Sequence, residues 1–393
     1  MMPELRPLAP ADLDLMVARD AQSFASPPGS ARDWFARFPA GGLLGWYDGD
    51  TLLAQCTVDR VPISTGHGDA PAALIGSVVS PPEYRRRGYV GGLLGALHRQ
   101  LRAEGRPFAL LHAFKSSFYG RYGYANAFER RTYTGDATLL APFRTARSGR
   151  FVPAGFEDIA QFDQLYQGAL RGRFGLVMRD AAHWQRAVLT GHRGAAYSYL
   201  WRDDADTARA YLVYQIRYEG QDQYLSVREI VALDPQARAQ LFSFLADQDA
   251  RVRKLSFSSP ADAPVNLLLP DPLHCEVETG PMLRVIDVAQ AIAVYSFPYG
   301  AAGTLTLAVD DATLPENSGC YALSVAGGAG AAERTSAASQ LACDVGVLAQ
   351  LLSRTLKVRT AAAFGMLIVH DKSALALLDA LLTGLPGFCG DFF

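Results

Sequence analysis

The sequence predicts an α/β protein in which strand–helix–strand units precede a smaller α+β domain. Three observations carry this. Residues up to ~135 alternate strand-like apolar runs with helical spacing; the middle of the chain returns to that alternation; the last hundred residues switch to hairpins flanked by helices. At 393 residues the chain exceeds one compact core, so two or three domains are expected.

"ADLDLMVARDAQSF" has helical spacing, with Asp12 placed as an N-cap. "GGLLGWYDGDTLLAQCTVDRVPI" carries two apolar runs about a "DGD" turn, a hairpin signal. "AALIGSVVS" reads as a strand, "GGLLGALHRQLRAEG" as a helix closed by Gly105, and "PFALLHAF" as the next strand. This succession favours parallel pairing through a right-handed crossover. After a soft junction at "APFRTARSGRFVPAG", "EDIAQFDQLYQGALRG" is helical, residues 195–233 read as successive strands, and "PQARAQLFSFLADQD" is a helix. Set against "SVVSPPEYRRRGYVGGLLGAL", the segment "REIVALDPQARAQLFSFLADQ" matches strand, turn and helix but has lost the arginine cluster and every glycine. A duplicated fold with one altered copy is the expectation. The prolines of "VNLLLPDPLHC" suit an interdomain boundary. Beyond them a hairpin-rich sheet with helices is expected, the last helix capped by Asp371 or Ser373. The domains are therefore read as 1–140, 141–280 and 281–393.

Composition narrows the function classes. Hydrophobic residues make up 49% and charged residues 19%, with net charge −2, so no global basic field suggests a nucleic-acid partner. The five cysteines, Cys56, Cys275, Cys320, Cys343 and Cys389, are odd in number and scattered. They suggest neither a zinc site nor a disulfide framework, but buried thiols of a cytoplasmic protein. The N-terminus lacks a signal-peptide layout, and the greasiest helix, "SALALLDALLTGL", is too short to span a bilayer. No metal and no membrane partner are expected.

Chemistry concentrates in two loops and at the chain end. In "SVVSPPEYRRRGYVGGLL" a strand runs into Pro81-Pro82, then Arg85, Arg86, Arg87, Gly88, and a helix opening with Gly91-Gly92. Helix N–H groups and adjacent arginines form a seat for phosphate, and glycine lets a ligand approach closely. The plainer reading is a solvated turn with glycines that permit tight helix–sheet packing. Neither GxxxxGK[ST] nor GxGxxG is present. "LLHAFKSSFYGRYGYANAF" interleaves aromatics with Gly120 and Gly123; a patch sealing the sheet would look the same, and His112 reads as a satisfied core histidine. The chain closes on "FCGDFF", two bulky apolar residues where ends are usually polar and frayed.

Together these motifs resemble the Gcn5-related N-acetyltransferase (GNAT) superfamily, with Arg85-x-x-Gly88-x-Val90 as the pyrophosphate loop and "FYGRYGY" as the segment carrying a general acid. Over nearly the whole chain the layout is similar to the Eis (enhanced intracellular survival) acetyltransferases: tandem GNAT-like domains with mixed sheets, the second degenerate, then a sterol-carrier-protein-2-like α+β domain. The resemblance implies transfer of acetyl from acetyl-CoA to a primary amine by direct attack through a tetrahedral intermediate. It implies cosubstrate contacts at Val78, Val79, Ser80, Arg86, Arg87, Gly88, Tyr89, Val90, Gly91, Phe114 and Lys115. Tyr119 matches the general acid, and the α-carboxylate of Phe393 the base or amine anchor. It also implies a homo-oligomer, since hexamers occur in the family.

Elementary acidities set the difficulty. A phenol near pKa ~10 protonates a thiolate of ~8.5 at a cost of about 2 kcal/mol. A terminal carboxylate near ~3.5 facing an alkylammonium near ~10.4 is mismatched by ~7 units, on the order of 9 kcal/mol. Electrostatic capture needs no such shift; deprotonation needs burial or a water relay. Aminoglycoside, polyamine and lysine side chain are the acceptors the family suggests. Ser26 and Pro27 stand where a relative could place an acidic residue, which makes the pocket less acidic; Asp391 reads as a solvated turn carboxylate. Two other readings are a lipid carrier working through the last domain and a nucleotide-binding regulator working through the arginine loop.

Overall fold

The computed structural model describes residues 3–39, 41–145, 147–190, 195–220 and 222–393. The first unit runs β1 (Glu4–Pro7), α1 (Leu13–Phe24), α2 (Pro28–Phe35), β2 (Leu43–Asp48), β3 (Thr51–Asp59), β4 (Pro62–Thr65), β5 (Asp69–Val79), α3 (Tyr89–Ala103), β6 (Phe108–Leu111), α4 (Ser116–Gly120) and β7 (Ala125–Asn126). The β2–β3 hairpin turns on Gly49 at φ +56°, as "DGD" predicts. Asp12 stands at the N-cap position of α1 but makes no capping bond; its carboxylate accepts from the Tyr47 hydroxyl at 2.8 Å instead. That is a correction: a tertiary donor has taken the oxygen the helix would have used.

The crossover through α3 makes β5 and β6 parallel. Their pairing covers only Ala72–Ile75 against Phe108–Leu111, after which β5 runs on to Val79 without β6 beside it. Side-chain alternation splits this region between two cores. Ala73, Ile75, Ala109 and Leu111 pack with the α3 leucines, Cys56 and Tyr119. Ala72, Leu74, Phe108 and Leu110 belong to the opposite core, shared with the C-terminal domain and Phe393.

The second unit comprises β8 (Glu129–Gly135), β9 (Arg150–Pro153), α5 (Ile159–Leu170), β10 (Phe174–Val177), α6 (Ala181–His183), β11 (Ala196–Arg202), β12 (Ala208–Glu219), β13 (Asp222–Ala232), α7 (Pro235–Ala246), β14 (Val252–Pro260) and β15 (His274–Thr279). Its sheet is ordered β15-β8-β14-β13-β12-β11-β9. β13 and β14 are parallel across α7, as β5 and β6 are across α3, and they too part after a short pairing at Gln223–Ser226. The duplicated pattern is therefore a duplicated crossover. The helix starts differ: Asp234 caps α7 by accepting from the Ala237 N–H, whereas no side chain caps α3 at Gly88.

β10 pairs with β4 of the first unit, and β16 (Met282–Val285) returns to the first sheet between β6 and β7. The rest is α8 (Val288–Val294), β17 (Gly303–Asp310), β18 (Gly319–Ala326), β19 (Ala329–Arg334), β20 (Leu341–Asp344), α9 (Val345–Leu352), α10 (Val358–Ala363), β21 (Ile368–Val369) and α11 (Lys372–Leu381), its sheet ordered β19-β18-β17-β20-β21. The glycine-rich stretch closes the β18–β19 hairpin on Gly327-Gly328, both at positive φ, the two-residue turn that matches strand twist. Of the two cap candidates for α11, Asp371 accepts the bond, from the Ser373 N–H. The five thiols are free; Cys56, Cys343 and Cys389 are buried. Among the described residues no helix is long and apolar enough to cross a membrane, and no group of three or more His, Cys, Asp or Glu side chains could hold a metal ion.

Candidate active site

After α11 the chain has no regular structure, yet it is tied down. The Gly387 N–H donates to Ser353 O (2.6 Å), the Phe388 N–H to Phe174 O (2.9 Å), and Arg173 to Pro386 O (3.1 Å). The tail then reaches the opening where β5 outruns β6. An added β-carbon on Gly76 would lie 3.1 Å from the carboxyl carbon of Phe393 and 2.8 Å from Thr57 Oγ1. Glycine is what lets the chain end dock here. The next residue, Ser77, holds φ +46°, a left-handed conformation in a non-glycine residue, beside a register shift against β3. Such strain persists only where its surroundings impose it.

Phe393 is buried and its ring lies 4.8 Å from that of His112; Phe392, 58% exposed, lies 5.1 Å from the same ring. Only one of the two terminal aromatics is thus a buried anchor. His112 Nε2 donates to the Asp391 carbonyl at 2.9 Å, and burial lowers its pKa, so the neutral ring is the one that binds the tail. The core-histidine reading holds, with the chain end as the partner.

Asp391 is not a solvated turn residue. It is 4% exposed, accepts two bonds from Arg179 (2.9 and 3.0 Å) and lies 2.8 Å from His183 Nε2. Burial alone would raise its pKa, but Arg179 and His183 hold the carboxyl well below the usual range. Arg179 also forks onto Glu229 (2.7 and 2.9 Å), which accepts from Tyr211, and its guanidinium lies 4.0 Å from the Tyr166 ring centroid. His183 Nδ1 reaches Asp59 of β3, which pairs with Arg186. The tail is therefore moored through a buried network spanning both units. It also forms one wall of a cavity of about 280 Å³ at the opening between β13 and β14, beside Ser226, Arg228 and Ser258.

Tyr119 lies on the other side of the first opening. It is 3% exposed and packs among Phe114, Phe118 and Tyr124 at 5.1–6.1 Å between ring centroids. Burial pushes its pKa well up, and Cys56 and Tyr122 act in the same direction. The Cys56 thiol, fully buried nearby, is itself pushed up to about 12.

The arginine loop follows the end of β5. Ser80 donates to Leu53 O and accepts from Arg85 Nε, both at 3.3 Å, folding the loop onto the strand end that carries Val78 and Val79. Arg86 (φ +62°) and Gly88 (φ +81°) are left-handed, and a β-carbon on Gly88 would meet nothing within 4 Å. Arg86 and Arg87 are exposed and make no ion pair among the described residues. Tyr89 meets Tyr84 edge-on at 6.1 Å and Val90 is half-buried. The adjacent glycines have the plainer cause: a β-carbon on Gly92 would strike the Trp46 indole at 2.9 Å, and one on Gly91 would meet the Tyr122 hydroxyl at 3.1 Å. Through that Tyr122 contact the two motifs touch. Phe114 is 73% exposed and Lys115 is exposed ahead of α4.

Three comparisons bear on this arrangement. Acetyltransferase (GNAT) domain families match residues 4–127 and 175–285, and a sterol carrier protein domain family matches 288–390. An uncharacterised N-acetyltransferase of Streptomyces coelicolor is 28% identical over 337 residues, 80% of this chain and 78% of the relative. The N-acetyltransferase Eis of Mycobacterium tuberculosis is 26% identical over 389 residues, 93% and 92% of the two chains. A crystal structure of a GCN5-related N-acetyltransferase from Anabaena variabilis shares the fold across 100% of both chains, with TM-score 0.91 and 22% identity. Fold and matched domains define an acetyl-CoA-dependent N-acetyltransferase. More narrowly, the chain carries two acetyltransferase (GNAT) domains and a sterol-carrier domain at its C-terminus, and over nearly its whole length it is similar to the N-acetyltransferase Eis.

Proposed function

We propose that the first unit transfers acetyl to a primary amine by direct attack, with Tyr119 as general acid and the Phe393 α-carboxylate as amine anchor and base. One observation carries this reading: the chain's last carboxylate stands at Gly76 on one side of the β5–β6 opening, and Tyr119 stands on the other. An amine arriving on the carboxylate side and a thiolate leaving on the phenol side is the geometry direct transfer requires.

The cosubstrate fits what the chain leaves unsatisfied. Past Ile75, β5 has an edge without a strand beside it, where the N–H groups of Val78 and Val79 can bind the acetyl and pantetheine portion. The uncapped start of α3 and the unpaired Arg86 and Arg87 suit a pyrophosphate. The second unit offers no equivalent seat, because the Asp234 carboxylate occupies the start of α7. Arg86→Ala and Arg87→Ala should each raise KM for acetyl-CoA about tenfold, a charge-assisted bond of ~1.5 kcal/mol, with kcat nearly unchanged; steady-state titration of acetyl-CoA checks this.

Because burial holds the Tyr119 phenol above its ordinary value, it remains protonated across neutral pH and keeps its proton for the departing thiolate. The deciding test is release of thiol from acetyl-CoA against a panel of primary amines. Tyr119→Phe should lower kcat by ~10²-fold or more while leaving KM for acetyl-CoA nearly the same. An unchanged kcat would remove the phenol from the reaction.

A further inference from the structure

Between α1 and the sheet lies a set of buried acceptors that have no donor among the described residues. Asp20 on α1 is 6% exposed and its Oδ1 has no partner. Gln55, fully buried on β3, donates from Nε2 to Met16 O, one helical turn before Asp20, and leaves its Oε1 without a partner. Thr57, two residues on and facing the same way, is 1% exposed with no partner for Oγ1. Burying such groups unsatisfied costs free energy, and native structures place few of them. Three together, all short of a proton donor, mark a place where a proton-bearing species is received.

These groups adjoin the chain end. Thr57 Oγ1 and the Phe393 carboxyl lie against the same face of Gly76. Ser77, held in its left-handed conformation, follows Gly76 on the same strand, and its side chain is near enough to Asp20 to counter part of the rise in pKa that burial causes. From the tail to α1 the polar groups therefore run terminal carboxylate, Thr57, Ser77, Asp20, with the Thr57 hydroxyl and Asp20 Oδ1 both left without a protein partner among the described residues.

We propose that Asp20 accepts the proton the substrate amine gives up, carried from the Phe393 carboxylate by water that the unpartnered Thr57 and Asp20 oxygens would hold between them. This rests on the reading that the terminal carboxylate receives the amine. One ammonium N–H bond breaks, an O–H bond forms on Asp20, and the nitrogen lone pair becomes free to attack; Asp20 later returns the proton to solvent. A terminal carboxylate of ordinary acidity is a poor base for an alkylammonium, whereas burial pushes the Asp20 pKa up. The charges facing Asp20 leave it unpaired. Arg19 on its own helix turns to Leu52 O and Glu83, and Arg32 on α2 pairs with Asp14. Asp59, further along β3, is held by Arg186.

Asp20→Asn keeps the side chain's volume and adds a donor, so the fold should persist, as read by thermal unfolding. Its activity is measured from about pH 6 to 10 with two acceptors, an alkylamine that is charged at neutrality and an arylamine that is neutral there. For the alkylamine kcat should fall ~10²-fold at neutral pH, and the deficit should shrink as pH rises toward the amine's own pKa. The arylamine should change by less than about threefold, and Asp20→Glu should restore part of the alkylamine rate. An equal deficit with both amines at every pH, or no deficit at all, overturns the proposal. An alanine appended after Phe393 separates the two readings: if it leaves turnover intact, the anchoring role fails; if it abolishes turnover while Asp20→Asn has no effect, only the Asp20 assignment fails.

Discussion

Appending one alanine after Phe393 should lower kcat/KM for the amine by ~10²–10³-fold while the protein unfolds at nearly the same temperature. The extension turns the terminal carboxylate into a neutral amide and carries the new anion about 3.8 Å along the chain. At Gly76 there is no slack to absorb this, since even one methyl group there would come within 3.1 Å of the carboxyl carbon. The Phe393 ring keeps its contact with His112, so the stability term should survive and the catalytic term should not. Turnover at the parent rate would show that the anion at the chain end does nothing in the reaction.

Asp391→Ala should be the most destabilising tail substitution, costing ~3–5 kcal/mol because it strips one partner from a buried ion pair. Arg179, its side chain 1% exposed, would keep Glu229 but lose half of its counter-charge, and His183 Nε2 would lose its acceptor. Activity should fall as well, since the Phe393 carboxylate sits two residues beyond the mooring. The pH dependence has a definite sign. The carboxyl of Asp391 is held below its ordinary value, so its stabilisation is fully present above about pH 4 and fades only as pH drops through the lowered value. The parent should therefore keep its tail docked through mildly acidic conditions, and the variant's deficit should stay constant from about pH 5 to 8. Chemical denaturation over that range, with limited proteolysis of the tail, checks both points. A deficit that vanishes at pH 5 would mean that the Asp391 charge is not what holds the segment.

The fold was legible because its units are local. Apolar period and turn chemistry place α1, the β2–β3 hairpin, the two crossovers and the capped α11 where the chain forms them. The misreadings share one cause, a partner from elsewhere in the chain. Asp12 looks like a cap until Tyr47 claims its oxygen, 35 residues away. Gly92 looks like room for a ligand until the Trp46 indole fills it. Arg179, His183 and Glu229 carry no sequence signal at all, being ordinary charged residues in an altered domain copy.

What the sequence determined alone is the order of elements, the duplicated crossover, the arginine loop leading into a helix without a cap, and the aromatic chain end. Each depends on residues within a few turns of one another, where spacing and backbone preference act directly. Only tertiary structure decided that Asp391 is buried rather than solvated, through Arg179, 212 positions away, and that Phe393 ends at Gly76 across from Tyr119. Contacts over such separations follow from how the packed units fit together, and no local pattern in the chain records them.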